Sequence, residues 1–277
     1  SISSALVGTF TFLRKKSLVG DAVAHSVLPG ICLAFILSGN KDPIWIILGA
    51  FISGWISILS IDWISNNSKI KEDTAIGLIL SVFFGFGIML LVSIQHSGNP
   101  NQSGLNNFLF GNAASLIGND LLIFSALAIF LVLAVGLWYK EFKLITFDRE
   151  YAKALGLPTK RMEFVLSTLT VLAIVTGIQA IGVVLMAAML ITPAAAARFW
   201  TDRLFYMLIL ASVFATISSI SGSYISFLAP SMPTGPWIVV IISVMAMISF
   251  FIAPDKGIVS KWWKKRNNRL KILEENI

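Results

Sequence analysis

Two residues of the 277-residue chain stand where chemistry is expected: Asp21 and His25, inside S-L-V-G-D-A-V-A-H-S-V-L-P-G (17–30). The stretch opens an apolar run, and a spacing of four on a helix puts both side chains on one face, a turn apart. An acid near the middle of a bilayer costs about 2.5–3.5 kcal/mol on insertion scales, so it should meet a partner, a cavity or an ion rather than lipid. Carboxylate and imidazole at that spacing can ligate a divalent transition metal. A structural reading stays open beside it. Asp21 is five residues past Lys16 and can cap the helix or face Arg14–Lys16, while His25 can bond a neighbouring helix.

Other polar or soft side chains are weaker candidates. Cys32 follows His25 by seven residues, near the same face, and a thiolate is a good soft ligand. Pro29 lies between them and disturbs the register, and a buried apolar Cys is the commoner case. His96, in S-I-Q-H-S-G, could meet an incoming metal or an outer partner; the plainer reading is a solvated loop histidine. Met186 and Met189 read as packing residues, Asp120 as a helix cap and Asp62 as an interfacial acid.

The elements that must hold these residues are membrane spans. The chain is 56% hydrophobic and only 13% charged, with mean hydropathy +0.84, and apolar runs of about 20 residues recur to its end. The runs are continuous rather than alternating, which argues for helices over a barrel. The expectation is an all-α polytopic bundle of eight full spans: 18–38, 44–64, 74–94, 120–139, 162–177, 180–199, 204–228 and 237–253. Ile2–Leu13 is too short to cross and reads as the inner end of a truncated first helix. The segment 108–118 is likewise short, and is expected to be re-entrant or interfacial.

Charge sets the orientation. When the loops are alternated, 20 of the 21 Lys and Arg fall on one side and only Lys41 on the other. The positive-inside rule puts the 20, and the C-terminus, in the cytoplasm. A net charge of +7 therefore reads as a topology signal, and no nucleic-acid partner is expected. One cysteine rules out an intrachain disulfide. No G-x-x-x-x-G-K-[ST], H-E-x-x-H or G-x-S-x-G occurs, so neither a phosphate-binding loop nor these hydrolase motifs are present.

Inside the charged stretch 140–161, Asp148 can cap a short helix running to Leu155, with Gly156 just past its end and Pro158 following. Such a helix would show Phe147, Tyr151 and Leu155 on one side. It could lie on lipid headgroups or dock against a cytoplasmic subunit.

Six segments in order now carry a resemblance: F-L-R-K-K-S-L-V-G-D-A-V-A-H-S-V-L-P-G (12–30), K-E-D-T-A-I-G-L-I-L-S-V-F-F (71–84), N-F-L-F-G-N (107–112), F-D-R-E-Y-A-K-A-L-G-L-P (147–158), G-V-V-L-M-A-A-M-L-I-T-P-A-A-A-A-R (182–198) and P-S-M-P-T-G-P (230–236). Together they resemble the integral-membrane permeases of ABC importers for manganese, zinc and iron. The resemblance implies a bacterial plasma-membrane permease domain over 1–255 and a basic tail over 256–277. It implies a second permease protomer, two cytoplasmic ATPase subunits that hydrolyse ATP in its place, and an extracytoplasmic metal-binding protein. Asp21 and His25 of both protomers would hold the transported ion, with no permanently bound cofactor. The segment 147–158 would be the coupling helix. Two alternatives stand beside this: a siderophore- or cobalamin-type permease with a wide pocket, and an ion-coupled secondary transporter without an ATPase.

Overall fold

Breaks in the apolar sequence decide where one helix ends and the next begins. At Gly39 the chain enters the left-handed region (φ 67°) and returns its N–H to the Phe35 carbonyl. Asp42 then caps the following helix, accepting from the Ile44 N–H at 3.1 Å, and Pro43 takes the first helical position, where no N–H is needed. The computed structural model describes residues 1–39, 42–96, 111, 118–228, 233–254, 257 and 260. The expected short segment 108–118 and the basic tail lie almost wholly outside the described residues.

Among the described residues there are eleven α-helices and no strand. They are α1 (Ile2–Leu13), α2 (Ser17–Ser38), α3 (Pro43–Asn67), α4 (Glu72–His96), α5 (Asn119–Leu137), α6 (Tyr139–Phe147), α7 (Arg149–Ala154), α8 (Thr159–Ile181), α9 (Val183–Trp200), α10 (Leu204–Leu228) and α11 (Thr234–Ile252). Seven of them (α2, α3, α4, α8, α9, α10 and α11) are long and apolar enough to cross a bilayer. The pair α5–α6 counts as an eighth, bent by 66°. Lys140, Glu141 and Lys143 supply the reason for the bend, because continuing straight would carry three charges into hydrocarbon. The eight expected spans are therefore seven single helices and one bent pair, with α1 a shorter apolar helix beside them.

Burial singles out α2. It is the most enclosed of the seven spans, whereas α3, α4 and α11 turn broad apolar faces outward, as lipid-facing helices do. α2 packs against α1, α3, α4, α8 and α9. Small residues bring these neighbours close. Where α2 crosses α3, a Cβ on Gly30 or on Gly49 would run into the other's carbonyl oxygen. On α4, a Cβ at Gly87 would meet Leu28 and Pro29 at 2.9–3.0 Å. Ser53 of α3 donates to the Ser26 carbonyl at 2.6 Å, adding a polar tie to the crossing.

Ion pairs gather several basic loops at one end of the bundle. Lys16 meets Glu72 at 3.0 Å, and Glu163 meets both Arg14 and Arg149. The Tyr139–Phe205 ring contact brings the α9–α10 turn to the same end.

Gly30→Leu is predicted to lower the unfolding midpoint of the detergent-purified protein, through overpacking worth about 1–3 kcal/mol. Gly77→Ala, at a position with nothing within 4 Å, should not lower it. Equal midpoints in differential scanning fluorimetry would contradict the α2–α3 crossing.

Candidate metal site

α2 carries its polar pair one turn past its first residue. Ala22, Val23, Ala24 and Val27 are fully buried around it and fasten the helix into the core. Asp21 and His25 lie on the face that is left partly open, with side-chain exposures of 36% and 16%. His25 Nε2 stands 3.6 Å from Asp21 Oδ1. That is too long for a hydrogen bond. Two ligands each about 2.0–2.2 Å from one ion stand roughly 3–4 Å apart, so the gap suits a shared cation.

The rest of the imidazole is held by shape rather than by hydrogen bonds. Phe84 of α4 meets it edge-on, with ring centroids 4.8 Å apart at 79°. Nδ1 is buried and has no hydrogen-bond partner among the described residues. Further along α2, Pro29 cannot donate the N–H that the His25 carbonyl would accept in an unbroken helix. The site thus sits at a local interruption of the most buried span.

Other candidates lie elsewhere. The Cys32 thiol is fully buried and points to the Gly87 carbonyl on α4, at 3.8 Å. His96 ends α4, exposed, with Nδ1 2.8 Å from the Val92 carbonyl oxygen of its own helix. Twelve residues separate it from Phe84, about 18 Å along the axis. Met186 and Met189 are fully buried core residues, and the side chain of Asp120 lies outside the described residues. Among the described residues no group of three or more His, Cys, Asp and Glu could hold a metal ion. Among the described residues Asp21 and His25 therefore stand as a pair of candidate ligands.

At the basic end, the short helix α7 forms as its residues dictate. Asp148 caps it, Oδ1 accepting from the Tyr151 N–H at 2.8 Å. Gly156 closes it with φ 77°. Its N–H reaches the Lys153 carbonyl at 2.9 Å and the Leu157 N–H reaches Ala152 at 3.1 Å, the two bonds of a Schellman motif. Ala152 is buried against the bundle, while Phe147, Tyr151 and Leu155 are each more than half exposed. An apolar row is thus presented outward from a rigid mount.

Beside α7 a polar cavity of about 700 Å³ opens between α3, α4 and α8, lined by Arg14, Asp62, Glu72, Arg149, Lys160 and Glu163 among others. Sequence reasoning did not single out Phe84, Glu72 or Glu163. Nothing local marks Glu163, whose partners are Arg14 and Arg149, or Phe84, which reaches His25 only through helix packing.

Comparison with known proteins covers nearly the whole chain. The chain is 46% identical over 259 residues to the manganese transport system membrane protein MntC of Bacillus subtilis, covering 94% of this chain and 60% of that one. It is 41% identical to the zinc transport system membrane protein TroC of Treponema pallidum, covering 99% of this chain and 91% of the relative. The chain thus spans only about three fifths of the first relative but nearly all of the second. Its fold matches the solved structure of PsaBC from Streptococcus pneumoniae in complex with Fab, with a TM-score of 0.83 and 34% identity over 96% of this chain and 90% of that one. Residues 1–253 match the ABC 3 transport family, and with apolar spans, small-residue packing and relatives all in agreement, this multi-pass membrane chain belongs to that family.

Proposed function

We propose that the chain is the permease subunit of an ATP-driven importer that carries a divalent transition metal ion (manganese, zinc or iron) into the cytoplasm. The observation that carries the reading is the Asp21–His25 pair, 3.6 Å apart on the most enclosed span. The relatives named for manganese and zinc transport support that cargo. Two ligands cannot complete a four- to six-coordinate shell, so the same pair from a second permease protomer supplies the others at a central site.

In this reading the basic end lies in the cytoplasm, as the positive-inside bias supports, and the C-terminus with it. An extracytoplasmic binding protein delivers the ion to the opposite end. ATP is hydrolysed on two cytoplasmic partner subunits, each receiving α7 and its flanking residues in a groove that takes Phe147, Tyr151 and Leu155. Closure of the ATPase dimer moves α7, and the spans rock between outward- and inward-open states around the ion. Asp21 binds as carboxylate and His25 as neutral imidazole, through Nε2.

Removing a supporting partner of a metal ligand alone typically costs roughly 10–100-fold in affinity or activity, so Asp21→Ala should lower metal uptake at least about tenfold at unchanged abundance. Radiometal uptake in cells expressing matched amounts tests this, and undiminished uptake would sink the site assignment. Because protons compete with a metal for its ligands, Mn(II) affinity should fall on acidification, in calorimetry on the purified protein. Replacing Phe147 and Tyr151 together by Asp should abolish co-purification of the ATPase subunit, since buried aromatic anchors dominate such contacts. Retained co-purification would place the docking surface elsewhere.

A further inference from the structure

The carboxylate of Glu163 has two partners on different elements. Oε1 accepts from Arg14 at 2.9 Å, and Oε2 accepts from Arg149 at 2.8 Å. Arg149 is the first residue of α7. Arg14 sits in the turn between α1 and α2, next to Lys15, whose backbone is in the left-handed region (φ 59°). Lys16 and then Ser17, the first residue of α2, follow directly. Asp21 lies one turn further on. One carboxylate, itself one turn into α8, therefore ties α7 to the head of the helix that bears the metal ligands.

The Arg14 arm of this tie is more enclosed than an ordinary surface pair, while the Arg149 arm is half exposed. Arg14 and Glu163 have only 14% and 21% of their side-chain surface exposed. Burial pushes the Arg14 guanidinium below its ordinary pKa while the Glu163 carboxylate opposes that shift. The neighbouring Lys16–Glu72 pair is about twice as open, and exposed pairs of that kind contribute little. Behind Glu163, α8 is fixed to α3 by Trp55, which packs edge-on against Phe164 and donates to Thr168 at 3.2 Å.

We propose that Glu163 is a positioning residue that couples the two ends of the transport cycle, clamping Arg149 of α7 to Arg14 so that displacement of α7 reaches the Asp21–His25 pair. With the clamp intact, α7 and the α1–α2 turn move as one body. Without it, α7 can shift on the ATPase while α2 stays behind. The inference rests on the importer reading above, in which α7 is the element that the ATPase moves.

The test compares wild type with Glu163→Gln, which keeps the shape and removes the charge, in vesicles holding the permease with its ATPase and binding-protein partners. Mn(II) is the probe. In the variant, ATPase co-elution, basal hydrolysis and equilibrium Mn(II) binding are expected to match wild type. Mn(II) transported per ATP hydrolysed is expected to fall about fivefold or more, the scale of an ordinary coupling between sites. A residue with a merely structural role would instead lower abundance or ATPase assembly with no change in that ratio. Should Glu163→Gln fail to fold, Arg149→Gln, at a half-exposed position, cuts the same clamp and is expected to lower the same ratio. An unchanged ratio in a folded variant overturns the clamp alone. No hydrolysis stimulated by Mn(II), Zn(II) or Fe(II) in wild type overturns the importer reading, and the clamp with it.

Discussion

The fold depends on one constraint: a carboxylate and an imidazole have to be kept inside a membrane-spanning helix. Lipid cannot solvate them, so α2 must be enclosed by other helices, and it is the most enclosed span in the structure. Enclosure at close range needs small residues at the crossings, and Gly30, Gly49 and Gly87 stand where α3 and α4 approach. The same neighbours shape the site. α4 brings Phe84 against the imidazole, and α3 brings Ser53 to the Ser26 carbonyl.

The enclosure is incomplete on one side. Asp21 keeps about a third of its side-chain surface exposed, and within one chain the described residues supply no third ligand. For a permanent metal centre that would be a defect. In the proposed function an ion is taken up from one side of a membrane and released on the other. The open side lets a second subunit add its own pair, so that the site would bind when the halves approach and let go when they part. The clamp at Glu163 belongs to the same logic, since a site assembled by motion needs a rigid path from the element that is pushed.

How much of this was legible in the sequence follows from how local each feature is. The cap at Asp148 and the glycine ending at Gly156 rest on contacts within a few residues, and sequence pattern was enough to predict α7 almost to its last residue. Spans follow from apolar run length, which is also local, so eight were expected and seven helices with a bent pair were found. The bend itself was missed, because reading 120–139 as one span stops before the charges of α6 that turn the chain. The spacing of Asp21 and His25 predicted their shared face, but it carried no information about Phe84, 59 residues later. The Arg14–Glu163 pair joins residues 149 apart, and no periodicity reports a contact of that range. Cys32 is the reverse case: a spacing of seven places it near the face of His25, while packing brings its thiol to the Gly87 carbonyl.

In the proposed function two chains share one ion between two Asp21–His25 pairs. The decisive measurement is the number of Mn(II) ions bound to the purified permease dimer, by equilibrium dialysis with the protein concentration measured independently. One ion is expected for every two chains, and none in a dimer carrying His25→Ala in both. One ion per chain, or binding unaffected by that substitution, would contradict it.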